Sequence, residues 1–208
     1  MLAEDAILSR IGERLLSRPD PLDEGAVILP DWVPDRPFDR PPVPAAVLIA
    51  LLPRPEGLTV LYTERSSDLR AHSGQIAFPG GKIDPTDADA GAAALREAWE
   101  EVGLQPSEAR VLGYMPHYFT GTNYLITPVV AAVRPSKPFT PNPREVSAVF
   151  EVPLSLLARN DSYGTYRIRR GSREHTSWQI DHAGYRIWGI TANLTRRFRD
   201  LALAGEAP

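Results

Sequence analysis

The sequence predicts an α/β protein in which a mixed β-sheet is covered by helices on its faces. Two observations lead to this class. Short apolar runs of β type recur from residue 45 to about residue 180 and are separated by turn residues. Only two long segments have helical spacing, one at residues 89–104 and one that closes the chain at residues 190–203.

The first 44 residues are predicted to be an addition to this domain. Residues 6–16 have apolar side chains at helical spacing, which indicates a short amphipathic helix. Eight of the 21 prolines follow in residues 19–44, a density that excludes helix interiors and central strands. We expect an extended arm, docked by Trp32 and Phe38 on its own domain or on a neighbouring copy. The predicted division is therefore an N-terminal helix and arm at 1–44 and the main domain at 45–208.

The strands are predicted from apolar runs bounded by turn residues. Residues 45–52 and 58–64 flank PRPEG and are typical of a hairpin. The run at 75–79 leads into Gly80 and Gly81. The remaining predictions are strands at 109–118, 123–133 and 145–152, a helical turn at 153–157, and a late hairpin formed by 163–168 and 175–180.

Charge and composition exclude several functional classes. With 23 basic and 26 acidic side chains the net charge is -3, so we expect neither a nucleic-acid nor a membrane partner, and local groups must hold any anionic ligand. The chain has no cysteine, which excludes disulfides, a thiolate nucleophile and a cysteine zinc site. The longest apolar run is too short to span a bilayer, and the acidic start is unlike a signal peptide. We expect a cytoplasmic protein.

The segment at 89–104 concentrates carboxylates on one stripe of a predicted helix. Glu97 lies three and four positions before Glu100 and Glu101, the two spacings that bring helix side chains together, so the three charges repel one another. A divalent cation would relieve this repulsion, and hard carboxylate oxygens select Mg²⁺ or Mn²⁺. A separate stripe of small and apolar residues faces the sheet: Gly91, Leu95, Ala98 and Val102.

Neighbouring residues fit the same site. Arg96 precedes Glu100 by four positions and is placed to orient a carboxylate, and Gly103 ends the helix. Gly80 and Gly81 allow the backbone to approach a metal or a phosphate where a Cβ would obstruct it. Taken alone, an acidic run on a helix also fits a solvated face.

The run REAWEEVGL, residues 96–104, resembles the second half of the signature of the Nudix hydrolases, G-x5-E-x7-R-E-U-x-E-E-x-G-U with U apolar. The first half departs from it, because Asp87 stands for the early Glu and eight residues rather than seven separate it from Arg96. The resemblance implies a Nudix α/β/α sandwich and hydrolysis of a pyrophosphate with Mg²⁺ or Mn²⁺. It implies metal binding by Glu97, Glu100, Glu101 and Gly81, with Arg96 in the catalytic set.

A second run, LYTERSSDLRAHSGQIAFPGG at residues 61–81, is similar to the motif of the coenzyme A diphosphatase branch. This resemblance implies hydrolysis of coenzyme A or its thioesters to 3′,5′-ADP and 4′-phosphopantetheine or its acylated form. Arginine binds phosphate in a bidentate manner and lysine supplies a point charge. The residues expected to bind substrate are Arg65, Arg70, His72, Gly80 and Lys82.

Several points remain open at the level of sequence. The general base is Glu97 as first candidate, then Glu100, with Glu145 in a later loop as a third possibility. The number of metal ions and the choice between monomer and homodimer are not decided by the residues. The alternative functions are a Nudix pyrophosphatase for ADP-ribose or a dinucleotide, and a Nudix domain that senses a ligand without catalysis.

Overall fold

A long central strand, β2 (Val43–Arg54), organises the protein. The computed structural model describes residues 2–22, 27–28, 38–67, 74–170 and 173–204. Strand β2 pairs antiparallel with β3 (Gly57–Arg65) through a tight turn, which confirms the predicted hairpin. On its other side it pairs in parallel with β8 (Tyr124–Val133), so the sheet is mixed, as predicted.

Shorter strands complete two sheets. In the described part of the chain the main sheet has nine strands, and a separate antiparallel sheet has three. In the main sheet β1 pairs with β7, β6 and β7 with β8, β4 and β9 with β3, and β5 with β2. The bounds are β1 (Val27–Ile28), β4 (Ile76–Ala77), β5 (Gly80–Lys82), β6 (Ala109–Tyr114), β7 (His117–Phe119) and β9 (Val146–Pro153), with β10 (Gly164–Arg170), β11 (Arg173–His182) and β12 (Tyr185–Trp188) in the second sheet.

Four α-helices accompany the sheets in the described ranges: α1 (Leu2–Glu13), α2 (Ala90–Val102), α3 (Leu154–Ala158) and α4 (Gly189–Ala202). None of them is long and apolar enough to cross a membrane.

The side chains of β2 are buried on both faces of the sheet. Those at 46, 48, 50 and 52 pack with the alanines of α2 in one core. Those at 45, 49 and 51 belong to a second core that contains Leu8 of α1 and Phe198 of α4. A strand covered on both faces is expected to be a continuous apolar run, as this one is. The predicted α/β/α sandwich is confirmed.

Local chain chemistry sets the ends of α2. The side chain of Asp89 accepts a hydrogen bond from the Ala92 N–H at 2.8 Å, which caps the first turn. Gly103 adopts a left-handed conformation with φ 73°, which ends the helix. The predicted helix at 89–104 is thus confirmed, as are the closing helix and the late hairpin.

Some predicted elements have other bounds. Helix α1 ends three residues early because Leu16 exchanges two backbone hydrogen bonds of 2.9 Å with Tyr114 instead. The run at 109–118 divides into β6 and β7 next to Pro116, which has no N–H to offer a sheet. Strand β12 was not predicted, because its four residues form a strand only through pairing with β11.

The described part of the arm contacts its own domain. The Phe38 ring lies edge-on to Phe119, with centroids 6.0 Å apart. The Asn123 side-chain amide donates to the carbonyls of Arg40 and Pro41 at 3.1 and 3.2 Å. Trp32 lies outside the described residues. The domain boundary at residue 44 stays a prediction.

Candidate active site

The alanine face of α2 decides where its carboxylates lie. Because Ala93, Ala94 and Ala98 pack against the sheet, the glutamates fall along the edge of the helix rather than on its outer face. Glu101 is only 3% exposed. Side-chain exposure rises to 15% at Glu97 and 41% at Glu100. The three glutamates that share one stripe in the sequence therefore differ in solvent exposure, from buried to exposed.

Two glycines of β5 meet this edge of α2. The Gly80 N–H donates to Glu101 Oε2 at 3.3 Å. A Cβ on Gly81 would overlap the carboxylate of Glu97, and a Cβ on Gly80 would overlap the backbone of β2 at 46–47. In this structure the Glu97 carboxylate lies against Gly81, and the backbone of β2 lies against Gly80. The approach of a metal or a phosphate to these glycines stays a prediction.

Arg96 organises the exposed side of the cluster. Its Nη1 donates to Glu97 Oε1 at 3.0 Å and to Glu100 Oε2 at 3.2 Å, which is the orienting contact expected from the sequence. Its Nε and Nη2 donate to the two oxygens of Asp87, both at 3.0 Å. Asp87, which stands in place of the early Glu of the signature, therefore holds Arg96 through a bidentate contact. Sequence reasoning did not assign this role. Nη2 also donates to the carbonyl of Lys82 at 3.1 Å, so Arg96 ties the turn to the helix.

The buried carboxylates of this cluster are electrostatically unfavourable. Burial raises the pKa of Glu101 to about 8, against the opposing effects of the Arg65 charge and the Gly80 N–H. Burial also raises the pKa of Glu97; Arg96 opposes this, while Glu100 and Glu145 add to it. Such carboxyls hold a negative charge at a cost that a cation would relieve.

A loop after β8 brings a further carboxylate to the cluster. The Asn142 N–H donates to the carbonyl of Glu101 at 2.8 Å, and its side-chain amide donates to Glu145 Oε1 at 3.1 Å. The charge of Glu145 raises the pKa of both Glu97 and Glu101. Sequence reasoning missed Asn142, although Asn before a proline is typical of the Asx turn that its Oδ1 forms with the Arg144 N–H.

Of the described residues expected to bind substrate, Arg65 lies beside the same glutamate that Gly80 contacts, Glu101. Its Nη1 is 3.9 Å from Glu101 Oε1. Its Nε is buried and has no hydrogen-bond partner among the described residues. The Lys82 side chain is exposed beside Gly81. Arg70 and His72 lie outside the described residues.

The residues at the cluster fit a hard divalent cation chemically. Glu97, Glu100 and Glu101 offer the carboxylate oxygens that Mg²⁺ and Mn²⁺ prefer, and Gly81 leaves room for the carboxylate of Glu97. No group of three or more His, Cys, Asp or Glu in the described ranges is arranged as a finished metal site. In this structure Arg96 contacts two of the three glutamates and Gly80 the third, so the side chains must turn toward a cation.

Comparison with known proteins identifies the family. Residues 42–170 match the NUDIX domain. The uncharacterized Nudix hydrolase NudL of Escherichia coli (strain K12) is 46% identical over 160 residues, which cover 76% of this chain and 81% of that protein. NudL of Shigella boydii serotype 18 shows the same identity and coverage. A crystal structure of RenU, a Nudix hydrolase from M. Smegmatis, superposes with a TM-score of 0.54 at 21% identity, covering 81% of this chain and 91% of that one.

This chain belongs to the Nudix family and is a hydrolase of phosphoanhydride bonds. The similarity to RenU concerns the fold alone. Nudix hydrolases generally use divalent ions such as Mg²⁺ or Mn²⁺ and act on small molecules.

Proposed function

We propose that this chain hydrolyses the pyrophosphate bond of coenzyme A or its thioesters to 3′,5′-ADP and 4′-phosphopantetheine or its acylated form. The observation that supports this most directly is the contact between Arg65 and Glu101. Arg65 belongs to the run that resembles the coenzyme A diphosphatase motif, and Glu101 to the helix that resembles the Nudix signature. The unpartnered Nε of Arg65 is a donor suited to a phosphate oxygen.

In the proposed reaction, water attacks one phosphorus of the pyrophosphate and the bond to the bridging oxygen breaks. A divalent cation, Mg²⁺ or Mn²⁺, would screen the phosphates, polarise their oxygens and lower the pKa of water. Glu97, Glu100 and Glu101 would hold it, with room provided by Gly81. Arg96 orients the first two carboxylates, and Arg65 and Lys82 offer positive charge to the substrate.

A carboxylate must accept the proton that the attacking water loses. Glu97 is the first candidate, because burial raises its pKa and makes it a stronger base than an exposed carboxylate. Glu145 is held by Asn142 and lies close enough to influence Glu97, so it remains the alternative. Glu100 is more exposed than Glu97.

A substrate panel tests the proposal. Coenzyme A, dephospho-coenzyme A and ADP-ribose are incubated in parallel with Mg²⁺, with Mn²⁺ and with chelator, and the products are identified by mass. We expect coenzyme A to be cleaved to 3′,5′-ADP and phosphopantetheine only when metal is present. Preferred cleavage of ADP-ribose would instead favour a Nudix pyrophosphatase of other specificity. Binding of ligand without turnover would favour a sensing module.

A variant pair tests the role of Arg65. Arg65→Lys keeps the charge but loses the planar fork. We expect it to raise the KM for coenzyme A about tenfold, in line with the loss of one charge-assisted hydrogen bond. Arg110→Lys, an exposed change on β6, is the matched control and should leave KM unchanged. Equal KM values for the two variants would contradict phosphate binding by Arg65. The cytoplasmic location and the monomeric or homodimeric state stay predictions.

A further inference from the structure

A cleft of about 720 Å³ lies outside the carboxylate cluster, between the loop at residues 135–141 and strand β9. Residues 149–151 form its β9 side, and Arg54 stands at the end of β2. The volume is in the range of small-molecule sites. None of the residues that line it takes part in the chemistry described above.

The cleft adjoins the proposed active site through both of its walls. On the loop side Pro141 immediately precedes Asn142, which contacts Glu101 and Glu145. On the strand side Val149 follows Glu145, which immediately precedes β9, by four residues, or roughly 13 Å at about 3.3 Å per residue. The cleft therefore begins at that distance from Glu145 and extends along β9 toward Arg54.

The polarity of the cleft suits one end of a coenzyme A substrate better than the other. Three prolines and Phe139 make the loop wall largely apolar. Arg54 is neutralised, because it donates to the two oxygens of Glu151 at 2.9 and 2.6 Å. Lys137 is exposed and lies near Glu108, whose pKa is lowered by hydrogen bonds from Ser136 and, to a smaller extent, by the Lys137 charge. Of the charged residues that line the cleft, only Lys137 has no partner within it, so a phosphate would meet one exposed ammonium group.

We propose that this cleft holds the pantetheine or acyl-pantetheine arm of the substrate, an inference that rests on the proposed function. One end of coenzyme A carries adenine and a charged 3′-phosphate. The other end is a neutral chain with two amides and a thiol or thioester. An apolar wall with a compensated ion pair matches the neutral chain, and an acyl group extends it toward Arg54.

A tryptophan placed in the loop wall tests the assignment. Pro138 is exposed and lines the cleft, so Pro138→Trp adds bulk there with little effect on the core. Ser107→Trp is the matched control, since Ser107 is exposed and lies outside the cleft. The readouts are kcat and KM for coenzyme A and a thioester, and inhibition by 4′-phosphopantetheine and by 3′,5′-ADP. Thermal unfolding checks that both variants are folded.

We expect Pro138→Trp to raise KM and weaken inhibition by 4′-phosphopantetheine about tenfold, as displacing roughly two buried methylene groups would. Its kcat and its inhibition by 3′,5′-ADP should match those of Ser107→Trp. If the unmodified protein cleaves coenzyme A but the two variants behave alike, the cleft assignment is overturned and the proposed function stands. If the unmodified protein does not cleave coenzyme A or its thioesters, both are overturned.

Discussion

Glu101 and Glu151 are carboxylates that the fold shields from solvent in two different environments. Glu151 accepts two hydrogen bonds from Arg54 and one from the Thr59 hydroxyl. Burial would raise its pKa, but these hydrogen bonds outweigh burial and hold the pKa below its ordinary value. Glu101 has one backbone donor at 3.3 Å and an arginine at 3.9 Å, and burial raises its pKa to about 8.

The contrast distinguishes a structural carboxylate from the one that we propose to be functional. The partners of Glu151 come from β2 and β3 and join the ends of those strands to β9, so its contacts are complete within the chain. Glu101 has acceptor capacity left, and Arg65, whose Nη1 lies 3.9 Å away, has an Nε without a hydrogen-bond partner in the described residues. Carboxylates with strongly perturbed pKa values are typical of sites that receive a ligand.

The largest expected effect comes from removing the charge of Glu101. Glu101→Gln keeps the shape but loses the negative charge that we propose holds the metal, so we expect kcat to fall about 100-fold or more. Binding of Mn²⁺, measured by calorimetry, should weaken in parallel. Glu174→Gln is the control, because Glu174 is an exposed acid paired with Arg167 far from α2. Activity of Glu101→Gln within a few-fold of wild type would reject the metal assignment.

Gly81→Ala should have the next largest effect. The added Cβ would displace the Glu97 carboxylate, and a shift of about 1 Å at a catalytic group can lower the rate about 100-fold. Gly164→Ala serves as control, since a Cβ there makes only an ordinary contact of 3.4 Å with Gln179. Steady-state kinetics with both variants tests the prediction, and equal kcat values would show that the approach of Gly81 to Glu97 is unimportant.

Stability should respond to pH in a direction set by Glu101. Its pKa is about 8 in the folded protein and 4.5 ordinarily, so between these values the folded state binds more protons than the unfolded state. The stability of the metal-free protein therefore falls as pH rises from about 4.5 to 8. We therefore expect Glu101→Gln to raise the free energy of unfolding at pH 8 by on the order of 2 kcal/mol, which corresponds to a rise in Tm of roughly 4–8 °C.

Thermal unfolding in chelator at pH 5 and pH 8 measures this effect. The Gln variant should be the more stable protein at pH 8, and the difference should nearly vanish at pH 5. Added Mn²⁺ should stabilise the wild type more than the variant. If the variant were less stable than wild type at pH 8, the charge of Glu101 would have to be stabilised by contacts within the chain, as that of Glu151 is.

Local sequence determined much of this site in advance. The helix and its Gly103 end depend on neighbouring residues and were predicted from the sequence, whereas the Asp89 cap was not. The different burial of Glu100 and Glu101 could not be predicted from the sequence. The two residues are adjacent on the helix, and only the rotation of α2 on the sheet decides which of them is buried. The contact of Asp87 with Arg96 could not be predicted either, because it depends on how the turn before α2 folds back on the helix.

Asp87→Asn tests that contact and should have a smaller effect. Loss of the charge-assisted bidentate pair would free Arg96 from the turn and leave Glu97 less well oriented, so we expect about a 10-fold loss in kcat. Asp161→Asn is a close control, since Asp161 makes an equally bidentate but exposed pair with Arg159. An equally small change in kcat for both variants would mean that the Asp87–Arg96 contact acts only as a surface ion pair.

The smallest expected effect on stability has the opposite sign to that of Glu101. Glu151→Gln weakens a partly exposed ion pair, so we expect a loss of about 1 kcal/mol at pH 8, or some 2–4 °C in Tm. Because the pKa of Glu151 is lowered on folding, its contribution is present above the ordinary value of 4.5 and is lost as pH falls through the folded value. Thermal unfolding at pH 8 and at pH 3.5 should therefore show the difference from wild type shrinking in acid. If the same substitution at positions 101 and 151 changed Tm in the same direction at pH 8, the distinction between the two carboxylates would be wrong.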